Sequence, residues 1–539
     1  MTIRNLEYLF RPKSVAIVGA SNDSGSVGSV VMDNLLLGGF GGPLMPVNPD
    51  HLAVKGVYAY RSIAALPQVP ELAVIDAPPR EIPELVRQLG QRGAKAAVLL
   101  SSCQSLDEEA PAVRGAIADE ARRANMRVLG PDSLGLIVPQ LGLNASIAHC
   151  GTKPGRIAFV SQSSALCTTV LDWAQARNIG FSHFICTGDA IDVDFDDVID
   201  YLGSDAGTAA ILMCIETITD AGKFISAARA ASRNMPLLAV KFGPGSDEVY
   251  DAALRRAGIL RVRSIEQIFE AAETLSHSKP PSGDRIAVLA NSGAVGRLAV
   301  DELAAKDGKL AEFSQVTIEK LAAALPGNGG YGNPLDIHLC ADGPAYARAL
   351  AVLLEAPEVD SVLVMHCPSA VTSAEAIAHA VTETIPKGNK KKKPVGTCWM
   401  GERAVQTARE YFGSHGVPTY NTPEQAVRAY MHLIHYRRTQ EILMETPSSV
   451  GIHFQPEVEA ARAITRAALE AGHRVLDEQQ AMAVLAAYGI PHVPTRLAAT
   501  TDETPSLATE LGFPVALKIW SDDIVTKSDV GGVVLDLAS

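Results

Sequence analysis

The sequence of 539 residues contains few aromatic side chains and no paired cysteine motif. Aromatic residues make up 5% of the chain against 47% hydrophobic residues, so the interior must consist mainly of alanine, valine, leucine and isoleucine. The eight cysteines are scattered without a C-x-x-C pair, which argues against a zinc site and against a disulfide framework. We therefore expect a cytoplasmic protein with helix-covered parallel sheets and no metal site built by the chain itself.

A basic surface and a long apolar run are also missing. The 47 basic and 60 acidic residues give a net charge of −13, which argues against nucleic acid or an anionic membrane as a partner. No segment approaches the ~20 consecutive apolar residues of a membrane-spanning helix, and the first residues lack the apolar centre of a signal peptide. These absences predict a soluble protein, and the charge is still compatible with local phosphate sites.

One sequence pattern occurs three times: a continuous apolar strand, a turn of small residues and an amphipathic helix. The copies are Lys13–Ser21, Gly155–Ser163 and Asp284–Ser292. The helices that follow have apolar residues at every fourth position: Val27, Val31 and Leu35; Leu166, Val170 and Ala174; Val295, Ala299 and Leu303. Small residues let a ligand approach the backbone N–H groups at a helix start, where phosphate binds well. The pattern predicts three α/β domains, each with a possible phosphate site.

Apolar runs between predicted helices give the strands of these domains. The predicted strands are Val15–Val18, Leu44–Val47, Leu72–Ile75, Ala94–Leu100 and Arg127–Leu129 in the first domain, Ile157–Val160, Phe181–Cys186, Ala210–Ile215 and Leu237–Lys241 in the second, and Ile286–Ala290, Ser361–Met365, Val395–Cys398 and Pro418–Tyr420 in the third. The first set indicates a doubly wound sheet, and the other two indicate smaller flavodoxin-like sheets. A polar helical connector then leads to a fourth segment from Leu476 onward.

The first turn has the features of a phosphate site but departs from the dinucleotide pattern. Gly19 permits a tight bend, and Ser21 and Asn22 are potential phosphate donors at the start of a helix. The turn is not a G-x-G-x-x-G, and the second strand is followed by Asn48 and Pro49 rather than by an acid that would hold a ribose. A phosphate-bearing nucleotide other than NAD is favoured, and a turn without any ligand is the alternative.

Six segments, in order along the chain, resemble the motif series of the NDP-forming acyl-CoA synthetases, the superfamily of succinyl-CoA synthetase and ADP-forming acetate–CoA ligase. They are Arg11–Asn22, Met45–Pro49, Gly130–Gly135, Val160–Ser164, Gly188–Asp194 and Gly332–Asp336. Within this superfamily the chain looks closest to the acyl-CoA-synthetase-like region of bacterial GNAT-type protein lysine acetyltransferases. That closeness rests on Leu143–Ser146, Leu171–Ala174 and Tyr430–Arg438.

The resemblance implies an α/β fold with four parts: a CoA-binding Rossmann-like domain, two flavodoxin-like succinyl-CoA-synthetase domains and the start of an ATP-grasp domain. The expected boundaries are residues 1–140 for the CoA-binding domain, 150–280 and 284–445 for the flavodoxin-like domains, and 455–539 for the connector and the ATP-grasp part.

The family reaction implied by the resemblance is a phosphate relay. ATP phosphorylates a histidine, the phosphate travels on a mobile loop to the CoA-binding part, an acyl phosphate forms, and CoA attacks it. The residues implied are Gly19, Ala20, Ser21, Asn22, Asn48 and Pro49 for CoA or acyl-CoA, Ser161, Gln162 and Ser163 for phosphate, and Lys518, on a strand expected to be buried, for ATP. Glu216 matches the carboxylate that orients the phosphohistidine, and a surface carboxylate at a helix start is an equal alternative.

Both carrier histidines of the family are missing from their expected positions. The segment Lys241–Ala253 joins strand and helix without the family's Ser-His-Thr-Gly loop, and Thr526 stands where the second histidine is expected. A phosphoryl carrier needs an imidazole nucleophile, which neither Ser246 nor Asp247 supplies. The acidic residues that hold Mg²⁺ in ATP-grasp enzymes come later in the family than Ser539, so the ATP/ADP site with Mg²⁺ is expected to be incomplete.

These features leave the enzymatic activity open. The leading hypothesis is a CoA- or acyl-CoA-binding, ligase-like module that senses its ligand. The alternative is an active acid–thiol ligase that uses a different carrier residue and a partner chain to complete the ATP-grasp fold. An NAD(P)-dependent oxidoreductase is disfavoured by the glycine pattern and by the missing acid after the second strand. Acyl preference and homo-oligomer formation are not fixed by the sequence.

Overall fold

The computed structural model describes residues 3–176, 179–243, 245–277, 280–386, 393–444, 456–473, 475–521, 524 and 527–539. The chain divides into two compact units, Met1–Glu445 and Thr446–Ser539. Within the described ranges, no helix has both the length and the apolar character needed to cross a bilayer.

The first part of the larger unit is a five-stranded parallel sheet with the strand order β2-β1-β5-β6-β7. Its elements are α1 (Glu7–Phe10), β1 (Val15–Val18), α2 (Val27–Gly38), β2 (Leu44–Val47), β3 (Ala53–Val54), β4 (Val57–Tyr58), β5 (Leu72–Ile75), α3 (Ile82–Arg92), β6 (Ala96–Leu99), α4 (Ala110–Ala124) and β7 (Arg127–Leu129). Alternate strand residues pack against α2 on one face and against α3 and α4 on the other. Helices on both faces explain why the strands are apolar throughout.

The second part is a seven-stranded sheet with the order β14-β13-β12-β10-β11-β8-β9. Its elements are β8 (Gly135–Val138), β9 (Leu143–Ser146), β10 (Pro154–Ser161), α5 (Ser164–Ala176), β11 (Phe181–Cys186), α6 (Phe195–Leu202), β12 (Ala210–Ile215), α7 (Ala221–Ser232), β13 (Leu237–Lys241), α8 (Asp247–Ala257), β14 (Ile259–Val262) and α9 (Ile265–His277). Strands β10 to β14 are parallel, and the β8–β9 hairpin adds an antiparallel edge.

The β8–β9 hairpin connects the first two sheets through one hydrophobic core. The domain boundary expected at residue 140 stays a prediction. Before this boundary, β8 pairs with β11, where Ile137 lies opposite Phe184. Leu136 of this hairpin shares a buried cluster with Ile17 of the first sheet and Ile185 of the second. The first two sheets are therefore packed together through residues that lie between them in sequence.

The third part is a six-stranded parallel sheet with the order β16-β15-β18-β19-β20, in which β17 also pairs with β15. Its elements are β15 (Arg285–Ala290), α10 (Gly293–Ala305), β16 (Lys309–Leu310), α11 (Gln315–Ala324), β17 (Leu335–Asp336), α12 (Gly343–Glu355), β18 (Ser361–His366), α13 (Ala374–Thr384), β19 (Val395–Trp399), α14 (Gln406–Ser414), β20 (Thr419–Tyr420) and α15 (Pro423–Met444). Helix α15 contacts the second part as well, because Arg428 pairs with Glu270 of α9.

The smaller unit contains α16 (Val458–Glu470), α17 (Glu478–Ala487), α18 (Thr504–Leu511), β21 (Val515–Lys518) and β22 (Val533–Leu537). The two strands pair antiparallel. Asp477 and Gln480 form a capping box at the start of α17, which fixes that helix end. The expected α/β fold class is confirmed by three mainly parallel sheets covered by helices.

Candidate functional site

The candidate site lies at the carboxyl ends of the parallel strands, the edge at which open α/β sheets bind ligands. In the first sheet this edge begins with the turn between β1 and α2. Gly19 has φ 90°, and a Cβ atom at this position would overlap the carbonyl oxygen of Asp76. Gly28 of α2 packs equally closely against the carbonyl of Gly19. Only glycine fits at either position, so the helix start stays close to the turn.

The remaining side chains of this turn shape its backbone. Ala20 is fully buried, and the hydroxyl of the half-buried Ser21 accepts a hydrogen bond from the N–H of Asp23 at 2.9 Å. Ser26 caps α2 by accepting from the N–H of Ser29 at 3.2 Å. The helix therefore begins with its dipole directed toward the turn, as an anion site requires.

The structure gives the amides of Asn22 and Asn48 a positioning role that the sequence did not predict. Asn22 donates to the carbonyl of Ala53 at 2.9 Å and accepts from the N–H of Lys55 at 2.9 Å, which holds the β3–β4 hairpin against the turn. Asn48 donates to the carbonyl of Ala20 at 2.7 Å and accepts from two backbone N–H groups after Pro49. Direct contact of these amides with CoA stays a prediction.

The second turn follows β10 and is shaped by two hydroxyl groups. The buried Ser161 accepts from the N–H of Ser163 at 3.1 Å, and Ser163 accepts from the N–H of Leu166 at 3.3 Å. The second bond caps α5, whose N-terminus opens onto the turn. The hydroxyls of Ser161 and Ser163 thus shape the backbone, and the helix start supplies the anion-binding property.

Gln162 attaches the neighbouring strand end to this turn. Its side-chain oxygen accepts from the N–H of Glu216 at 2.8 Å and from the N–H of Thr217 at 3.0 Å. Its amide nitrogen donates to the carbonyl of Thr217 at 3.1 Å. The Glu216 side chain is exposed and reaches the segment after β13, since a Cβ on Gly243 would lie 3.3 Å from the Glu216 Cγ. The structure therefore brings Gln162, Glu216 and the expected position of the family's carrier loop together.

Lys241 adds a cation to the same edge. Its ammonium group donates to the carbonyl of Phe242 and lies 4.4 Å from the centre of the Tyr250 ring. Burial and the nearby Arg261 lower the pKa of Lys241, while Glu216 opposes that shift. The residue stands at the end of β13, beside the strand end that positions Glu216. Its place in a strand-end motif was visible in the sequence, but its proximity to Glu216 depends on strand order.

Asp132 joins the two edges, and sequence reasoning did not single it out. Its N–H donates to the carbonyl of Ser101 at 3.1 Å, after β6, and its own carbonyl accepts from the Ser164 hydroxyl at 3.1 Å. Ser101 in turn accepts from the N–H of Ala77, after β5, at 3.1 Å. Hydrogen bonds therefore connect the carboxyl edge of the first sheet to the start of α5.

Four family models match successive parts of the chain. They are a CoA binding domain over residues 13–139, a succinyl-CoA ligase like flavodoxin domain over 154–275, a Ligase-CoA domain over 286–443 and an ATP-grasp domain over 467–539.

Curated relatives match the chain over nearly its whole length. It is 32% identical to acetate–CoA ligase [ADP-forming] I of Archaeoglobus fulgidus, with 99% of this chain and 78% of the relative covered. The chain belongs to the ADP-forming acetate–CoA ligase family. It is also 32% identical to the alpha subunit of acetate–CoA ligase [ADP-forming] I of Pyrococcus furiosus, covering 79% of this chain and 96% of that subunit.

A solved structure agrees with this assignment. The dinucleotide-forming acetyl-coenzyme A synthetase 1 of Ca. Korarchaeum cryptofilum, in complex with phosphate and ADP, aligns with a TM-score of 0.75 and 29% identity. The alignment covers 83% of this chain and 99% of that one. Family membership and fold are thereby established, whereas closeness to GNAT-type acetyltransferases stays a prediction.

The third turn of this ligase-family chain repeats an arrangement of the second, in which the side-chain amide of Gln162 binds the backbone of the neighbouring strand end. We call this arrangement a clamp. Asn291 follows β15, donates to the carbonyl of Cys367 at 2.9 Å and accepts from its N–H at 2.8 Å. Gly293 starts α10, where a Cβ would lie 2.9 Å from a carboxylate oxygen of Asp336. Strand register makes Cys367 the counterpart of Glu216, because Ser161 pairs with Cys214 and Ala290 pairs with Met365.

The nucleotide-side residue Lys518 lies in the smaller unit and is more exposed than the sequence suggested. We expected a buried strand lysine, but its side chain is 45% exposed, because β21 pairs only with β22 among the described residues. Its ammonium lies 3.0 Å from Glu478, which also pairs with Lys527 at 2.7 Å. The two lysines lower the pKa of Glu478. Thr526, the expected position of the second carrier histidine, lies outside the described residues.

Among the residues that the structure describes, no three acidic, histidine or cysteine side chains form a set of metal ligands.

Proposed function

We propose that this chain acts as an ADP-forming acid–CoA ligase. The reaction interconverts an acyl-CoA, ADP and phosphate with the free acid, CoA and ATP. Family membership supports the proposal, and a relative that carries the word subunit in its name supports a partner chain that completes the nucleotide side. Acetyl-CoA is the first substrate to test, because the relatives are named acetate–CoA ligases.

The single observation that carries the proposal is the bond between Ser164 and the carbonyl of Asp132. It joins the carboxyl edge of the first sheet, the proposed site of CoA, to the turn after β10, the proposed site of phosphate. An acyl-CoA lying along the first edge would then present its thioester to a phosphate held at the N-terminus of α5. A phosphate oxygen attacks the thioester carbonyl, the carbon–sulfur bond breaks, and acyl phosphate and CoA result.

Other residues of the edge have supporting roles in this proposal. Backbone N–H groups at the start of α5 bind the phosphate, and Gln162 keeps Glu216 beside it. Lys241 offsets the negative charge that phosphate and Glu216 bring together. No step is assigned to a metal held by this chain.

A second candidate function is ligand sensing without turnover, and one observation favours it. Residues 242–247 contain no histidine, so the phosphate of an acyl phosphate lacks its usual acceptor at this position. In that role the chain would bind CoA or acyl-CoA as a regulatory module, for instance beside a GNAT-type acetyltransferase domain.

The two functions are separated by one set of assays on the purified full-length chain. An active ligase forms ATP from acetyl-CoA, ADP and phosphate, in the presence of Mg²⁺, with one CoA released per ATP. A sensing module binds CoA in calorimetry but releases none from acetyl-CoA, propionyl-CoA or aromatic acyl-CoA substrates. γ-labelled ATP tests the carrier directly: we expect no acid-labile protein phosphate, and label on any histidine would restore the complete relay.

A further inference from the structure

Asp132 has an uncommon backbone conformation at the point where the first sheet meets the turn after β10. Its backbone has φ 59°, a left-handed conformation that is uncommon outside glycine, although aspartate and asparagine adopt it more often than most residues. The conformation is fixed from both sides, because the N–H donates to Ser101 and the carbonyl accepts from Ser164. A conformation of this kind persists where the surroundings impose it, and it is frequent at active sites.

The carboxylate of Asp132 is half-buried at the edge. One oxygen accepts a hydrogen bond from the side-chain amide of Gln104 at 3.0 Å. The charged and titratable groups around it are Asp189 after β11, Arg114 of α4 and the thiol of Cys103. Arg114 pairs with Asp189 at 2.8 Å. Burial, together with the charge of Asp189, raises the pKa of Asp132, whereas Ser102 and Arg114 lower it.

The position along the edge suits the reacting end of CoA. Strands β1, β5, β6 and β7 are consecutive neighbours, so three strand spacings of about 4.8 Å separate the turn at Gly19 from Asp132. That is about 14 Å along the sheet edge. With its phosphates at the start of α2 and its pantetheine arm along this edge, CoA would place its sulfur beside Asp132 and the phosphate turn.

The proposed reaction needs a base at this point. A thiol with a pKa of about 8.5 is mostly protonated near neutral pH, yet only the thiolate attacks an acyl phosphate effectively. A carboxylate whose proton affinity is raised is a better proton acceptor than an exposed one.

We propose that Asp132 is the general base for the CoA thiol, an inference that rests on the proposed function. The sulfur–hydrogen bond breaks and the proton moves to a carboxylate oxygen of Asp132. The sulfur electron pair attacks the acyl carbon, the bond from that carbon to the phosphate oxygen breaks, and phosphate leaves. In the opposite direction the protonated Asp132 returns its proton to the departing thiolate.

The test uses the half-reaction of acetyl phosphate with CoA, which needs neither nucleotide nor carrier histidine. We compare wild type, Asp132→Asn, Asp132→Glu and the surface control Asp119→Asn in the full-length chain between pH 5.5 and 9. Asparagine tolerates the left-handed backbone, so Asp132→Asn should fold, and circular dichroism checks this. The wild-type rate should fall at low pH as Asp132 becomes protonated.

We expect Asp132→Asn to lower kcat/KM at pH 7 by about 100-fold or more, in the range of general base catalysis, with CoA affinity within about threefold of wild type. Its remaining rate should rise with pH through the thiol pKa near 8.5, and Asp132→Glu should regain part of the activity. Asp119→Asn should match wild type.

Two other results have distinct meanings. If wild type is active and Asp132→Asn keeps its rate and its acid limb, or loses rate only in proportion to CoA binding, Asp132 is not the base. If wild type gives no acetyl-CoA from acetyl phosphate and no acyl-CoA from propionyl or benzoyl phosphate, the proposed ligase function fails, and the base role fails with it. If Asp132→Asn does not fold, the rate of Asp132→Glu and the acid limb of the wild-type pH profile test the base role instead.

Discussion

Single residues of the candidate site either shape the backbone or are available to contact a ligand. The sequence distinguished these two roles only partly. Glycines in a tight turn after a strand are recognisable because their small size has a local reason, as at Gly19. Contact between the amide of Asn48 and a ligand stays a prediction, and the structure adds a bond from this amide to the carbonyl of Ala20 that the sequence did not predict. The partners of a side-chain amide depend on which backbone groups the fold brings near, and this information is not local in sequence.

Gly19→Val should abolish CoA binding. The new side chain would meet the carbonyl of Asp76, and its backbone would resist the positive φ, so the turn must open. Calorimetry with CoA should change from the micromolar affinity expected for wild type, about −8 kcal/mol, to no detectable heat. Gly41→Ala is the matched control, because a Cβ there meets no atom within 4 Å. Unchanged binding in Gly19→Val would place the CoA site elsewhere.

His366 should make the third sheet sensitive to acid. It is fully buried beside Tyr346 and Trp399, and burial lowers its pKa to about 4 from the ordinary 6.5. Between pH 6.5 and pH 4, His366 is protonated in the unfolded chain but not in the folded chain. The contribution of His366 to the free energy of unfolding therefore falls as pH decreases from 6.5 to 4, and it is constant above pH 6.5. The full difference is on the order of 3 kcal/mol.

Urea unfolding followed by Trp399 fluorescence measures this effect in a Trp173→Phe, Trp520→Phe background. His366→Leu should reduce the loss of stability between pH 7.5 and pH 5. The variant leaves few unmet hydrogen bonds, because Tyr346 also donates to the carbonyl of Met365 and Asn291 also donates to that of Cys367. An unchanged pH slope would assign the acid sensitivity to other groups.

Elements were more predictable than side-chain roles. The predicted strands are all present, with ends within three residues, because buried parallel strands are uniformly apolar. The β8–β9 hairpin and β14 were not predicted. Each of these strands has only four residues. β8 pairs with the later strand β11 as well as with β9, and β14 pairs with the preceding strand β13. Short strands of this kind give a weak periodic signal, so the sheet that they join can be known only from the fold.

The clamp formed by Gln162 should be detectable without an activity assay. Gln162→Ala removes the acceptor of the N–H groups of Glu216 and Thr217, so these amides should exchange hydrogen for deuterium faster. In the acetyl phosphate half-reaction, KM should rise about tenfold, which corresponds to about 1.4 kcal/mol of lost positioning. Thr217→Val serves as control, since its hydroxyl makes only a 3.4 Å contact with Gln162. Equal exchange in all three proteins would contradict the clamp.

The two units of the chain differ in how well their strands are covered. In Met1–Glu445 most strand residues are buried between helices, whereas both strands of Thr446–Ser539 are largely exposed. Leu517 is 44% exposed and Leu535 is 64% exposed. A sheet of two strands has little stability of its own. Family resemblance predicted the ATP-grasp part, but not how much of it would be covered.

Limited proteolysis should therefore cut the smaller unit first. Residues from about Leu476 onward should be removed before the three sheets are attacked, leaving a CoA-binding product that ends near residues 438–446. Intact-mass spectrometry identifies the product, and a parallel digest with Mg-ATP serves as comparison. Resistance equal to that of the larger unit, or protection by ATP, would indicate a more complete nucleotide site than the fold suggests.

The β8–β9 hairpin has a consequence for recombination between relatives. A crossover placed between residues 140 and 150 would combine β8 from one parent with β11 from another, and Leu136 would enter a core made of two unrelated sets of side chains. Chimeras that exchange the first sheet alone should therefore be poorly viable. Exchange of both sheets as one block would keep the hairpin with its partners. A chimera that is to fold should therefore be built from blocks that include both sheets.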